Sequence, residues 1–241
     1  MSLYRLAIIL LFSLTAFACG GSDQGNQAAD QPVSLETSKD RSSYALGLDI
    51  GNNIAMGEMD INVENLIQGL RHGLEGVQPL MTEDEQFEAL MALQQEFMQA
   101  QMDKVQKQAQ TNLDQGLTFM EEFAELEGVM ETENGVLYRE LVQGTGERPG
   151  PRDVVTVHYH GTLVDGTVFD SSIERGEPAT FPLDQVISGW TEVLQLMPQG
   201  AKWEVVIPPD QAYGDQQAGP VIGPNSTLVF EIELLETMKP E

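Results

Sequence analysis

The chain has 241 residues, of which 12 are Lys or Arg and 38 are Asp or Glu, so its formal net charge is −26. This length corresponds to one or two domains, and a hydrophobic content of 41% is enough to bury a core. The acidic excess argues against nucleic-acid binding, because proteins neutralise phosphate backbones with Lys and Arg. An anionic membrane surface would also repel the chain, so attachment to a membrane would require a lipid anchor.

The first 18 residues predict a signal peptide. Arg5 precedes an apolar run over 6–14, which is too short to span a bilayer and is followed by small residues and Cys19. Because Cys19 is the only cysteine, no intramolecular disulfide can form. Cleavage before Cys19 would place its thiol at the mature N-terminus, where bacterial lipoproteins carry their lipid.

The residues around this cysteine indicate where the protein would be attached. The segment AFAC is similar to a lipobox, although Phe17 is bulkier than usual, and Gly20 favours the outer membrane over the inner one. We therefore expect a lipoprotein of the bacterial cell envelope that faces the periplasm or the surface. The alternative is an ordinary secreted protein with a free thiol near its end.

The next two segments differ in composition. Residues 19–40 are rich in Gly, Ser, Gln and Asp and predict a flexible tether behind the lipidated cysteine. Residues 41–80 hold two short helical patterns, separated near Gly57 and ended by the turn-forming residues 76–79.

A long helix is predicted over 81–127. Thr82 and Glu85 have the spacing of a capping box, and the residues up to Leu126 contain no Pro and one Gly, Gly116. Apolar residues recur along it at helical spacing, over a length of about 65 Å. A single small domain could not cover such a stripe, so we expect the 41–80 region of the same or another chain to pack against it.

The pattern after Gly128 changes to short strands. Residues 137–142 alternate, residues 153–172 predict a hairpin around Asp165–Gly166, and two more strands follow a short helix near 186–196. The segment therefore predicts an antiparallel sheet with one short helix.

Three stretches of this second half stand out, which are VHYHGTLVDGTVFDSS, VISGWTEVLQLMPQGAKWEVVIPPDQAYG and NSTLVFEIELLE. In order and spacing they resemble the FKBP-type peptidyl-prolyl isomerases. The resemblance covers nearly all of residues 137–238. It implies an α+β fold in which an antiparallel β-sheet is wrapped on a short helix, with the isomerase domain over 128–241.

The first half contains the signal cysteine, the segment SYALGLDIGNNI and the long helix. These features carry a resemblance to the dimeric, macrophage-infectivity-potentiator type of bacterial member. It implies an all-α dimerisation region over 41–80, followed by a linking stalk helix over 81–127. The expected assembly is a homodimer formed through the N-terminal helices.

The resemblance also implies a proline-binding pocket with Trp190 as its floor. Its walls would be apolar side chains from separate strands and one helix, which are Tyr159, Phe169, Val186, Ile187 and Phe230. The backbone N–H of Ile187 and the hydroxyl of Tyr213 would bind substrate carbonyls. Asp170 would lie at the rim near the twisting carbonyl carbon, and Arg175 would pair with Asp170 or Tyr213.

The implied reaction is rotation about an X-Pro amide bond, whose barrier is about 18–20 kcal/mol. Rotation needs no nucleophile, cofactor or metal, so the polar groups would position the substrate without transferring protons. His158 and His160 lie near Ser171–Ser172, which on its own suggests a hydrolase or a metal site. We interpret both histidines as exposed strand residues, because a third ligand is missing nearby in the sequence.

We therefore expect a peptidyl-prolyl cis-trans isomerase, or rotamase, that accelerates the folding of proline-containing polypeptides in the cell envelope. Ala179 and Ala218 depart from the family pattern, which often has a pocket aromatic at the first position and a histidine at the second. Both changes open the rim of the pocket. They leave room for the alternative that the protein is an envelope holdase or client-binding module with weak or no isomerase activity.

Overall fold

The structure is a computed structural model that describes residues 34–239. The predicted signal peptide, Cys19 and most of the tether lie outside the described residues. Of the described residues, 34–68 belong to one compact unit and 69–239 to the other. Within residues 34–239, every helix falls short of the combination of length and apolar character that a bilayer crossing needs.

Two short helices come first in the chain. Helix α1 (Ser38–Met56) starts with a capping box between Thr37 and Asp40, and α2 (Val63–Glu75) starts where the Asn62 side chain accepts a hydrogen bond from the backbone of Asn65. Neither helix has a buried residue. Their large apolar side chains are therefore exposed, including Tyr44, Leu46, Leu48, Ile67, Leu70 and Leu74.

Helix α3 (Glu83–Ala124) is the long helix that the sequence predicts. Its N-terminus has the predicted capping box: Thr82 Oγ1 accepts from the backbone N–H of Glu85, and Glu85 Oε2 accepts from that of Thr82. Most large apolar side chains in its first six turns are exposed, with Leu93 and Phe97 partly buried. Its buried residues are Gly116 and Phe123 near the C-terminal end.

After α3 the described chain forms one antiparallel sheet in the order β1-β2-β6-β7-β3-β4, with β5 also paired to β3. The central strands β3 and β7 alternate between buried and partly exposed residues, as expected for strands whose two faces differ. The strands are β1 (Val129–Glu131), β2 (Leu137–Val142), β3 (Val154–Leu163), β4 (Val168–Ser171), β5 (Ala179–Pro182), β6 (Lys202–Ile207) and β7 (Leu228–Met238).

The main core lies between this sheet and α5 (Ser188–Leu196), whose Trp190, Val193 and Leu194 are buried. A single-turn helix, α4 (Ser172–Arg175), follows β4. A separate, smaller cluster joins Phe123 of α3 to Leu137 and Val206. Because Val206 follows Val205 of the main core along β6, the two clusters lie on opposite faces of the sheet. The predicted fold class, helices followed by an antiparallel sheet around a short helix, is confirmed.

Candidate active site

An aromatic cage stands on the face of the sheet that α5 covers. Trp190, 5% exposed, lies at its base. The rings of Tyr159, Phe230 and Phe181 meet the Trp190 ring edge-on, with centroids 5.2, 5.3 and 5.8 Å away. Edge-to-face contacts of this kind hold each ring in one orientation. The floor of the site is therefore a set of rings packed against one another.

Phe169 completes the cage from β4. Its ring lies 5.5 Å from that of Phe230 at 85°, directly over Gly161 of β3. A Cβ at Gly161 would lie 2.7 Å from Phe169 Cζ and 3.0 Å from Phe230 Cε1, so glycine is needed for this close approach.

These rings enclose a cavity of about 430 Å³. All six residues that the sequence analysis assigned to substrate binding line it, together with Asp170 and Tyr213. Two further lining residues, Phe181 and Gln185, were not predicted. The structure thus brings the predicted pocket residues together around one cavity.

A polar network lies on one side of this cavity. The Tyr159 hydroxyl donates to Asp170 Oδ2, Arg175 Nη1 donates to Asp170 Oδ1, and Arg175 Nη2 donates to the Tyr159 hydroxyl at 2.9 Å. The Arg175 guanidinium also lies 5.6 Å from the centroid of the Tyr159 ring. Of the two partners expected for Arg175, the structure has Asp170 and not Tyr213.

This network controls the charge of its members. Burial alone would raise the pKa of Asp170, but the hydrogen bonds from Tyr159 and Arg175 and the charge of Arg175 outweigh it and hold the pKa below its usual value. Burial, and then the hydrogen bond to Asp170, raises the pKa of Tyr159. The carboxylate is therefore ionised and the phenol neutral at neutral pH.

The other polar groups come from two further segments of the chain. Tyr213 lies in the loop after a 3₁₀ turn at Pro209–Gln211, is 44% exposed, and its hydroxyl has no hydrogen-bond partner among residues 34–239. Ile187 stands at the N-terminal end of α5, where its carbonyl accepts from Trp190 and Thr191. In the described chain its own N–H has no acceptor, so it is available beside the cavity.

The neighbouring serines and histidines form structural pairs. Ser172 Oγ accepts from the Tyr159 backbone N–H at 2.8 Å and lies 3.1 Å from His158 Nδ1. Ser171 Oγ accepts from the Glu174 backbone N–H at 3.2 Å, capping α4, and lies 3.0 Å from His160 Nδ1. The expectation of exposed histidines is wrong: both are half-buried, because these pairs hold the end of β4 against β3.

The structure shows what surrounds Ala179 and Ala218, the two alanines that depart from the family pattern. Ala179 lies on β5, two residues before Phe181 and on the same face, so that Phe181 supplies an aromatic ring beside Trp190. The backbone N–H of Ala218 donates to the Ile222 carbonyl at 2.9 Å and closes the loop beyond Tyr213.

Across residues 34–239, no three His, Cys, Asp or Glu side chains are grouped to hold a metal ion.

Comparison with known proteins agrees with this fold. Residues 145–235 match the family described as FKBP-type peptidyl-prolyl cis-trans isomerase, and residues 39–139 match the domain amino terminal to FKBP-type peptidyl-prolyl isomerase. A crystal structure of FkpA from Escherichia coli superposes with a TM-score of 0.74 and 36% identity, covering 85% of this chain and 99% of that one.

Two relatives are similar over most of their length. Outer membrane protein MIP of Legionella longbeachae is 42% identical over 226 residues, or 94% of this chain and 97% of that protein. The FKBP-type 22 kDa peptidyl-prolyl cis-trans isomerase of Escherichia coli is 43% identical over 206 residues, or 85% and 98%. The chain therefore belongs to the FKBP-type peptidyl-prolyl cis-trans isomerases, and it is an enzyme of this class.

Proposed function

We propose that the aromatic cavity is the active site and that it isomerises X-Pro bonds by removing water from the twisting amide. In the planar amide, resonance places negative charge on the carbonyl oxygen, which water stabilises; the twisted amide has lost that resonance. An apolar cavity therefore favours the twisted form over the planar one, which is selective binding of the transition state. The observation that carries this proposal is the cage of rings around Trp190.

The polar groups then act by orientation. The free N–H of Ile187 and the free hydroxyl of Tyr213 are donors beside the cavity, suited to two carbonyl oxygens of the peptide. Asp170, held by Tyr159 and Arg175, presents a fixed negative charge at the rim. Such a charge would act on the carbonyl carbon as the amide twists, without proton transfer.

Substitution of the two rim groups tests this assignment. We expect Asp170→Asn and Tyr213→Phe each to lower kcat/KM for a short X-Pro peptide by about tenfold, a barrier increase of about 1.4 kcal/mol. Asp215→Asn, an exposed carboxylate two residues from Tyr213, and Tyr138→Phe, whose ring stacks on Trp203, are the matched controls. Circular dichroism checks that every variant is folded. Full activity in both rim variants, or equal losses in the controls, would contradict the assignment.

We further propose that the protein works in the bacterial cell envelope, tethered by a lipid on Cys19. The apolar run and the cysteine support this, as does the similarity to a relative named an outer membrane protein. Folding polypeptides are the natural clients, since uncatalysed prolyl isomerisation takes tens of seconds. With Cys19→Ser, we expect the protein to move from the membrane to the soluble fraction, whereas Ser22→Ala should stay membrane-bound. A Cys19→Ser protein that stays with the membrane would contradict the anchor.

We also propose a homodimer in which residues 41–80 form the interface, residues 81–127 the linking helix and residues 128–241 the isomerase domain. The support is that α1 and α2 have no buried residue while carrying large exposed apolar side chains. An isolated helix of 13 residues, such as α2, is marginal in water, and helices in proteins gain most of their stability by packing an apolar face. A client-binding role without isomerase activity is less well supported, because the isomerase domain has a complete aromatic cavity.

A further inference from the structure

The C-terminal part of α3 is joined to the loop formed by residues 219–227. Asn112 Nδ2 donates to the Pro224 carbonyl at 2.7 Å and lies 3.4 Å from Ser226 Oγ. One turn further on, Gly116 is buried against Thr227, so closely that a Cβ there would lie 2.2 Å from Thr227 Oγ1. The helix therefore contacts this loop with a defined separation and register.

The same loop is joined to the backbone beside Tyr213. The N–H of Asn225, the residue after the carbonyl that Asn112 binds, donates to the Gly214 carbonyl at 2.8 Å. The N–H of Gly214 in turn donates to the Pro209 carbonyl at 2.8 Å. A short path of hydrogen bonds and covalent bonds thus connects Asn112 on α3 to Tyr213.

Tyr213 has little else to hold it in place. The residue is 44% exposed, and its hydroxyl has no hydrogen-bond partner in the described chain. Its orientation toward the cavity therefore depends on the backbone of its own loop. Asp170 differs in this respect, because Tyr159 and Arg175 hold its carboxylate directly.

We infer that Asn112 is a positioning residue for the isomerase reaction, which acts through the 219–227 loop to place the hydroxyl of Tyr213. In this role the end of the long helix supports one side of the active site in addition to linking domains. The inference rests on the proposed role of Tyr213 in binding a substrate carbonyl. Loss of the Asn112 amide leaves the Pro224 carbonyl without this donor and frees the loop to move.

A double-mutant cycle on the full mature chain tests the inference. We expect Asn112→Ala to lower kcat/KM for an X-Pro peptide by about three- to tenfold, and Tyr213→Phe in that background to cost less than about twofold. The losses in kcat/KM caused by Asn112→Ala and Asp170→Asn should instead multiply, because Asp170 is held independently of the loop. A general loss of stability would not produce coupling to Tyr213 alone.

Thr111→Ala is the matched control, since Thr111 is the neighbouring exposed residue and its side chain, within residues 34–239, bonds only to the Lys107 carbonyl of its own helix. Gly116→Ala is a second variant, which should separate the helix from Thr227 and show the same coupling to Tyr213→Phe. Assays at about 10 °C, with folding checked by circular dichroism, keep both variants measurable, because uncatalysed isomerisation is then slow.

The outcomes separate the inference from the site assignment. Full activity in Asn112→Ala, or losses that multiply with those of Tyr213→Phe, would overturn the role of Asn112 and leave the site assignment intact. If Tyr213→Phe is itself fully active, the role of Tyr213 fails and that of Asn112 fails with it.

Discussion

At the scale of single residues, the Asp170–Tyr159–Arg175 network serves mainly to orient its three side chains. The side chains of Asp170 and Arg175 are each 44% exposed, and an ion pair this exposed to water contributes little to stability. Three hydrogen bonds nevertheless fix the carboxylate, the phenol and the guanidinium relative to one another. Removing one member should therefore affect catalysis more than folding.

The pKa of Asp170 predicts how this contribution changes with pH. Since the pKa lies below the usual 3.8, the charge is present at all pH values above about 5. We expect the ratio of kcat/KM for the unmodified protein to that for Asp170→Asn to be constant from about pH 5 to 9. As the pH falls through this lowered pKa, Asp170 becomes protonated and the ratio should fall toward one.

Using the ratio cancels the titration of every group that the two proteins share. Asp184→Asn, which changes an exposed carboxylate on the 3₁₀ turn at Leu183–Gln185, should give a ratio near one throughout. The contribution of Asp170 to the free energy of unfolding depends on pH in the same direction. It is present above the unfolded-state pKa and is lost as the pH falls through the lower folded-state pKa. A ratio that changes near pH 6 would show that Asp170 is not held as described.

At the scale of elements, long helices and strands with a clear residue pattern were predictable from the sequence, and very short strands were not. The helix α3 was predictable because a capping box, 42 residues without proline and a helical apolar stripe all indicate one structure. The hairpin of β3 and β4 was predictable from alternation around Asp165–Gly166. Strands β1 and β5 were missed because three and four residues are too few to show alternation, and their strand conformation depends on pairing with β2 and β3.

The site was predictable only in part, for the same reason. The convergence of Tyr159, Trp190 and Phe230 came from resemblance, since no local pattern indicates that a strand, a helix and a distant strand share a cavity. Phe181 was missed with β5, on which it lies. The hydrogen bond from Tyr159 to Asp170 was missed because the sequence presents Tyr159 only as a wall; the pairing depends on the register between β3 and β4, in which Gly161 lies opposite Asp170.

At the scale of the whole molecule, two features have opposite effects on self-association: the charge of −26 disfavours it, and the exposed apolar side chains of α1 and α2 favour it. Contiguous apolar surface on a soluble protein marks an interaction site, and a second copy would cover α1 and α2. Two copies of such an acidic chain also repel each other. The proposed dimer should therefore be held by apolar contacts and weakened by electrostatics, a balance that salt shifts.

Sedimentation of the mature chain at graded salt tests this balance. We expect a dimer whose dissociation constant falls as salt rises from about 0.02 to 0.5 M. Salt screens the repulsion between exposed charges that lie farther apart than about one Debye length. Leu70→Gln with Leu74→Gln, which leaves the charge unchanged on an exposed apolar face of α2, should give a monomer that still isomerises short peptides. Asn65→Gln, on the opposite face of α2, should remain dimeric. A dimer that survives the double substitution, or that salt dissociates, would place the interface elsewhere.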